Sequence, residues 1–290
     1  MLRFVIDPGA NHGVGVAFTD RVDASGQGRG GAGFEGFNLG RADEDPTVLE
    51  HVDSLRSRLG LGPVMVCHQV HGNEVWRVRP DDVEGWIPQR YLGNRVEGQP
   101  KLPIADAMVT DLPGVALAIR VADCMPIMLA DPKAGVVGAA HAGRVGFLAG
   151  VLPATVKIMC DMGATELLAW LGPHICGRCY EVPAEMAEQV WAEYPATRAV
   201  TRQGAPALDL GAGALAQLES LGVAAVGLDP CTFEGDDFFF PSSRSWRWSA
   251  SWPSVECSRR PLTTDVLSPR CLRRSRVPPN RGNISGRLEW

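Results

Sequence analysis

The stretch that decides the fold reads Val115-Ala116-Leu117-Ala118-Ile119-Arg120-Val121, then Ala122-Asp123-Cys124, Met125-Pro126-Ile127-Met128-Leu129 and, after a polar turn, Val136-Val137-Gly138-Ala139-Ala140. Three apolar runs this short, divided by turn-forming residues, read as buried β-strands rather than helices. Phe147–Met162 then carries a helical pattern closed by Gly163, which requires Pro153 to lie in its first turns.

Working outward, Val14–Thr19 reads as a strand. Val48, Leu49, Val52, Leu55 and Leu59 fall at helical spacing before Gly60, with Asp45-Pro46 as N-cap and first helical residue. Val64–Val70 and Glu74–Arg79 read as two strands joined by a tight His71-Gly72-Asn73 turn. Asp81–Pro103 reads as a polar insertion. Leu167–Leu171 and Val223–Leu228 are further strands, and Ala184–Tyr194 and Leu210–Leu221 are helices. Strands and helices alternating in this way predict one mixed α/β or α+β domain over residues 1–240. The glycine-rich stretch Gly26–Gly36 lacks the GxxxxGK[ST] pattern and reads as a flexible loop.

The chain has 290 residues, with 28 basic and 33 acidic side chains. At ~150 residues per domain this allows one or two domains. Charge divides unevenly. Residues 241–290 hold ten arginines, no lysine and three acids, a net of +7, whereas the other 240 residues hold 18 basic and 30 acidic side chains, a net of −12. An acidic body argues against nucleic acid as the main partner, because phosphate binding needs a positive surface. No run of ~18 apolar residues occurs, so no membrane helix is expected. The first residues show no signal-peptide core, which points to the cytoplasm. Eight cysteines are too few for a disulfide scaffold, and packing, metal binding or catalysis are their expected uses. The 241–290 tail, rich in Ser, Pro, Arg and Trp, has no helical or strand period. It reads either as disordered or as the product of a frameshift near codon 240 in a GC-rich gene.

Of six histidines, two lie where chemistry is expected: His71 in Gln69-Val70-His71-Gly72, and His141 after the run Val136–Ala140. Cys124 stands between two apolar strands, and small residues beside all three allow close approach. Two imidazoles and a thiolate suit zinc with a fourth position open. They equally suit a Cys–His nucleophile pair, and spacing alone does not choose. His68, three residues before His71, would point to the opposite face of a strand. Cys176-Gly177-Arg178-Cys179 is a CxxC with no second pair at a suitable spacing for a structural zinc site, and Tyr180-Glu181-Val182-Pro183 follows it where a redox motif would need a helix.

Taken together, the motifs resemble a known family. They are Phe37-Asn38-Leu39-Gly40, Gln69-Val70-His71-Gly72, Asp106-Ala107-Met108-Val109-Thr110, Val121-Ala122-Asp123-Cys124-Met125-Pro126-Ile127, Ala140-His141-Ala142-Gly143, Gly172-Pro173-His174-Ile175 and Cys179-Tyr180-Glu181-Val182. The family comprises bacterial proteins called laccase-domain proteins or polyphenol oxidases, described more recently as purine nucleoside phosphorylases; some relatives are called peptidoglycan editing factors. The resemblance implies a single α/β domain with mixed β-sheets flanked by helices. It implies His71, Cys124 and His141 as ligands of a metal, zinc in the first place and copper in the older description. It implies phosphorolysis of adenosine, inosine and methylthioadenosine, and deamination of adenosine, with purine nucleosides and phosphate as partners. On this reading Asp123 is the candidate proton carrier, and Arg120 and Arg144 are the candidate phosphate ligands. The rival expectations are a Cys–His hydrolase acting on peptidoglycan precursors and a copper-dependent oxidase. The sequence departs from the family's usual His-Ala-Gly-Trp-Arg-Gly, reading His141-Ala142-Gly143-Arg144-Val145-Gly146, and it also departs near Phe240, where a final strand is usual.

Overall fold

The computed structural model describes residues 2–20, 39, 47–92, 101–228 and 230–235. The Gly26–Gly36 loop, Asp45-Pro46, the departure at Phe240 and the 241–290 tail lie outside them. In chain order the elements are β1 (Leu2–Ile6), β2 (Val16–Thr19), α1 (Val48–Leu59), β3 (Val64–Met65), β4 (Val75–Arg77), α2 (Pro80–Val83), β5 (Ala107–Thr110), β6 (Ala116–Leu117), β7 (Met125–Asp131), β8 (Val136–Ala142), α3 (Arg144–Leu148), α4 (Val151–Asp161), β9 (Leu168–Leu171), α5 (Ala184–Glu193), β10 (Arg198–Val200), β11 (Pro206–Leu208), α6 (Leu210–Ser220) and β12 (Ala224–Gly227).

The central sheet has six strands in the order β12-β9-β7-β8-β5-β4. It is mixed: β4–β5 and β9–β12 run parallel, while β7 is antiparallel to both β8 and β9, and β5 is antiparallel to β8. Its middle is β7 and β8, two of the three runs quoted above, whereas the run Val115–Val121 yields only β6, which pairs with β3 in a separate two-stranded sheet. Met125, Ile127 and Leu129 of β7 meet Val136 and Ala140 of β8 in one core. Leu152, Val156 and Met159 of α4, Val190 and Trp191 of α5, and Leu210, Ala214 and Leu218 of α6 close over it. At ~25 cal/mol per Å² of apolar surface removed from water, this layer dominates the folding energy. Elsewhere Val16 and Phe18 of β2 pack with Ala130 and Trp170, and Met65 and Cys67 pack with Met108. The α+β class and the mixed sheets anticipated from the sequence are therefore present.

Two local expectations are revised. The helix expected over Phe147–Met162 is two helices, α3 and α4, divided at Gly150, whose φ of 86° ends one helix and caps the next. Pro153 then falls in the first turn of α4, where its missing N–H has no helical acceptor to lose. Helix α1 ends as expected at Gly60, with φ 63°. The hairpin expected around His71 does not form. β3 pairs with β6 and β4 pairs with β5, in different sheets, because a distant carboxylate holds the connecting loop.

Asp131 shows how the tight β7–β8 region is secured. Its fully buried carboxylate accepts the N–H groups of Lys133 and Ala134 at 3.0 Å each, of Thr165 at 2.6 Å and of Glu166 at 2.8 Å. Burial alone would raise its pKa, but the four donors outweigh burial and hold the carboxyl below its usual range. A depressed folded-state pKa contributes stability above the unfolded value of ~3.9 and loses it as pH falls through the folded value. Asp131→Ala should cost roughly 3 kcal/mol at neutral pH by stranding these donors. The deficit should shrink under acid unfolding below pH ~4, which urea titrations of both proteins at pH 7 and pH 3 would measure.

Candidate functional site

The strand directions bring four segments to one end of the sheet. β8 runs opposite to β5 and β7, so His141 near its end lies beside Asp106, which precedes β5, and Cys124, which precedes β7. β4 is parallel to β5, so the loop leading into it delivers His71 to the same end. The ligand atoms of His71, Cys124 and His141 all lie within 4.8 Å of one another. Cys124 Sγ is 3.7 Å from His71 Nε2, and the two imidazoles meet edge to face with centroids 4.7 Å apart. His71 is exposed, Cys124 half-buried and His141 buried, so the group opens to solvent on one side.

Asp106 organises this group, and the sequence reading assigned it no role. Fully buried, it accepts from the backbone N–H groups of Val70 at 3.1 Å, His71 at 2.9 Å and Gly72 at 2.7 Å. It also accepts from His141 Nδ1 at 2.8 Å. The three amides wrap the 70–72 loop around the carboxylate, which is why no hairpin forms and why His71 holds a φ of 62°. The bond to His141 fixes its tautomer: Nδ1 carries the proton, and Nε2 keeps the lone pair a metal needs. Burial would raise the Asp106 pKa, but the donors, led by His141, hold it below the usual range. The His71 pKa is lowered, mainly by burial and then by His141, which favours the neutral ring. Burial pushes the Cys124 thiol up to about 11, and Asp123 and Asp106 add to the effect. With its pKa this high Cys124 is a thiol near neutral pH, so a bound cation would be what displaces its proton, and two imidazoles beside one sulfur are a donor set that fits such an ion.

Gly143 shows how closely the site is packed. A Cβ there would stand 2.8 Å from Cys124 Sγ and 3.0 Å from His71 Cδ2. Gly143→Ala should therefore displace two ligands at once and weaken metal binding by about tenfold or more. Equilibrium dialysis against zinc would register the change.

The remaining candidates divide. Cys124 and Asp123 lie in a bend before β7 rather than on a strand, so strand alternation does not separate them. The Asp123 carboxylate accepts from Thr232 Oγ1 at 3.1 Å, and burial raises its pKa against that bond. Arg144, first residue of α3, lies near the Tyr180 hydroxyl, whose pKa burial raises against the pull of that guanidinium and whose surroundings include Cys124 and Asp123. The Nε of Arg144 is buried without a partner. Val145, in the family's usual arginine position, is exposed. Arg120 lies elsewhere, with its guanidinium 5.6 Å over the Tyr91 ring and its backbone tied to Gln69. His68 is exposed and outside the group, and His174 is buried with Nδ1 on Gly172 O at 2.8 Å.

Two histidines and a cysteine at a sheet end, before an oriented carboxylate, make a candidate metal centre in an α+β protein. The family model described as multi-copper polyphenol oxidoreductase laccase matches residues 16–248, and the chain belongs to that family. It is 42% identical over 235 residues to a protein of Streptomyces coelicolor named purine nucleoside phosphorylase, covering 79% of this chain and 89% of the relative. A Streptomyces griseus protein of the same name is 42% identical over 230 residues, covering 77% and 86%. The crystal structure of YlmD from Geobacillus stearothermophilus superimposes with a TM-score of 0.63 at 27% identity, over 79% of this chain and 85% of that one. Among the described residues, no helix is long and apolar enough to cross a membrane.

Proposed function

We propose that this chain is a zinc-dependent purine nucleoside phosphorylase that acts on adenosine, inosine and methylthioadenosine and also deaminates adenosine. The observation that carries the reading is the meeting of His71, Cys124 and His141 before Asp106, in a chain 42% identical to proteins named for the phosphorylase activity. His71, Cys124 and His141 would hold the ion. Zinc with three protein ligands supplies Lewis acidity and water activated near neutral pH, the chemistry deamination at C6 requires.

The chain's own groups supply the rest. Arg144, with its Nε unpaired and its guanidinium near Tyr180, is the candidate phosphate ligand. A phosphate oxygen bonds to the anomeric carbon, the glycosidic C–N bond breaks, and its electron pair leaves with the purine. Asp123, held by Thr232 beside Cys124, is placed to pass the proton that neutralises the departing base. Arg120 is a weaker candidate for phosphate, given its place over Tyr91.

Zinc is favoured over copper oxidation by the donor inventory. The chain has six histidines, and no candidate metal group among the described residues gathers more than two. A multicopper centre needs many more. A Cys–His hydrolase is disfavoured because an activated thiolate needs positive surroundings, whereas Asp106 and Asp123 flank Cys124. The test is product chromatography with and without phosphate. Inosine should give hypoxanthine and ribose 1-phosphate only with phosphate, and adenosine should give inosine without it. Silence from folded, zinc-loaded protein would refute the proposal.

A further inference from the structure

The CxxC that stood alone in the sequence is not alone in the fold. The segment after β12 places Cys231 against it, and the sulfur atoms of Cys176, Cys179 and Cys231 lie within 4.8 Å of one another. A fourth donor is adjacent: Cys179 Sγ faces Glu234 Oε1 at 3.2 Å. Cys231-Thr232-Phe233-Glu234 repeats the three-residue step of Cys176-Gly177-Arg178-Cys179, so two turns each present donors at positions i and i+3.

Both turns close like metal-binding knuckles. Cys179 N–H and Tyr180 N–H donate to Cys176 O at 2.9 Å each, and Gly235 N–H donates to Cys231 O at 3.1 Å. The Cys231 sulfur accepts the backbone N–H of Cys176 at 3.4 Å, so the two turns are joined directly at the sulfur cluster. All three cysteines are half-buried and unbridged, so the sulfurs are shielded without being sealed off.

We propose that Cys176, Cys179 and Cys231 form a second metal site, separate from the His71 group, which takes a soft divalent ion such as zinc with Glu234 as the fourth donor. Three thiolates and a carboxylate within tetrahedral reach match a closed structural zinc site rather than an open catalytic one. Arg202, 2.6 Å from Glu234 Oε1, holds that carboxylate at the cluster.

The site has a structural task. It clamps the Cys231–Gly235 turn to the loop that follows β9, where His174 already bridges Cys231 and Thr232 N–H donates to His174 O at 3.0 Å. Thr232 in turn holds Asp123. The clamp thus positions a residue of the catalytic end without contacting substrate.

The test is metal content of the full chain, purified with thiols reduced. Two equivalents of zinc are expected in the wild type, and one each in Cys124→Ala and in a Cys176→Ser/Cys179→Ser double variant. Should the double variant misfold, cobalt(II) loading of the wild type decides instead. Thiolate charge-transfer absorption should be about four times that of a one-thiolate site, because three sulfurs join Cys124. The proposal is overturned by a single equivalent in folded wild type, by a second equivalent that survives in the double variant, or by a one-thiolate cobalt spectrum. It is likewise overturned by a disulfide between two of the three cysteines in protein carrying only the His71-site metal.

Discussion

Replacing Cys124 with alanine should abolish metal binding at the catalytic group and lower phosphate-dependent nucleoside cleavage by about 10³-fold or more, roughly 4 kcal/mol of transition-state stabilisation. The fold should survive. Cys124 is half-buried in a bend rather than part of the sheet, and its loss removes one sulfur from a partly open site. A change in unfolding free energy of ~1 kcal/mol or less is expected. The informative pair of measurements is metal content and turnover, with circular dichroism as the control. An intact fold with no metal at the His71 group and no turnover is the anticipated outcome. Full turnover without metal would remove Cys124 from the mechanism.

Asp106→Ala should be more damaging to the molecule as a whole. The substitution strands three backbone N–H groups and the ring N–H of His141 around a buried space. Each stranded donor costs ~1–3 kcal/mol, with partial relaxation, so a loss of about 4 kcal/mol is expected. His71, held at a positive φ by these amides, should relax away from Cys124. Asp106→Asn separates the two effects. It keeps the volume but exchanges a pure acceptor for a group that must donate on one side, which disturbs the His141 tautomer. Zinc affinity should drop 10- to 100-fold while most of the fold is retained. Calorimetric titration of both variants, beside their urea midpoints, would separate ligand orientation from stability.

The metal group and its supporting carboxylate were not equally legible in the sequence. His71, Cys124 and His141 stood out because each sits beside small residues at the end of an apolar run, and because their motifs match a family in order. Asp106 heads the equally visible motif Asp106–Thr110, yet nothing local marks it. Its partners lie 34 to 36 residues away, at 70–72, and at His141. The same long-range bonds explain the missed topology. Val64–Val70 and Glu74–Arg79 have the composition of a hairpin, but β3 pairs with β6 and β4 with β5, and Asp106 ties down the loop between them. The strands of the central stretch were readable because their burial is nearly continuous: six of the seven β7 residues are buried, and so are six of seven in β8. Cys231 was unreadable as a partner of the CxxC for the reason Asp106 was, since spacing along the chain is silent about turns that meet only after β9 and β12 are paired.

The most direct test of the central claim is adenosine cleavage by metal-analysed wild-type protein and Cys124→Ala, side by side, with and without phosphate. The account predicts adenine and ribose 1-phosphate from the wild type only when phosphate is present, and none from the variant. Phosphate-dependent adenine release that persists in the variant without metal at the His71 group would place the reaction elsewhere and contradict it.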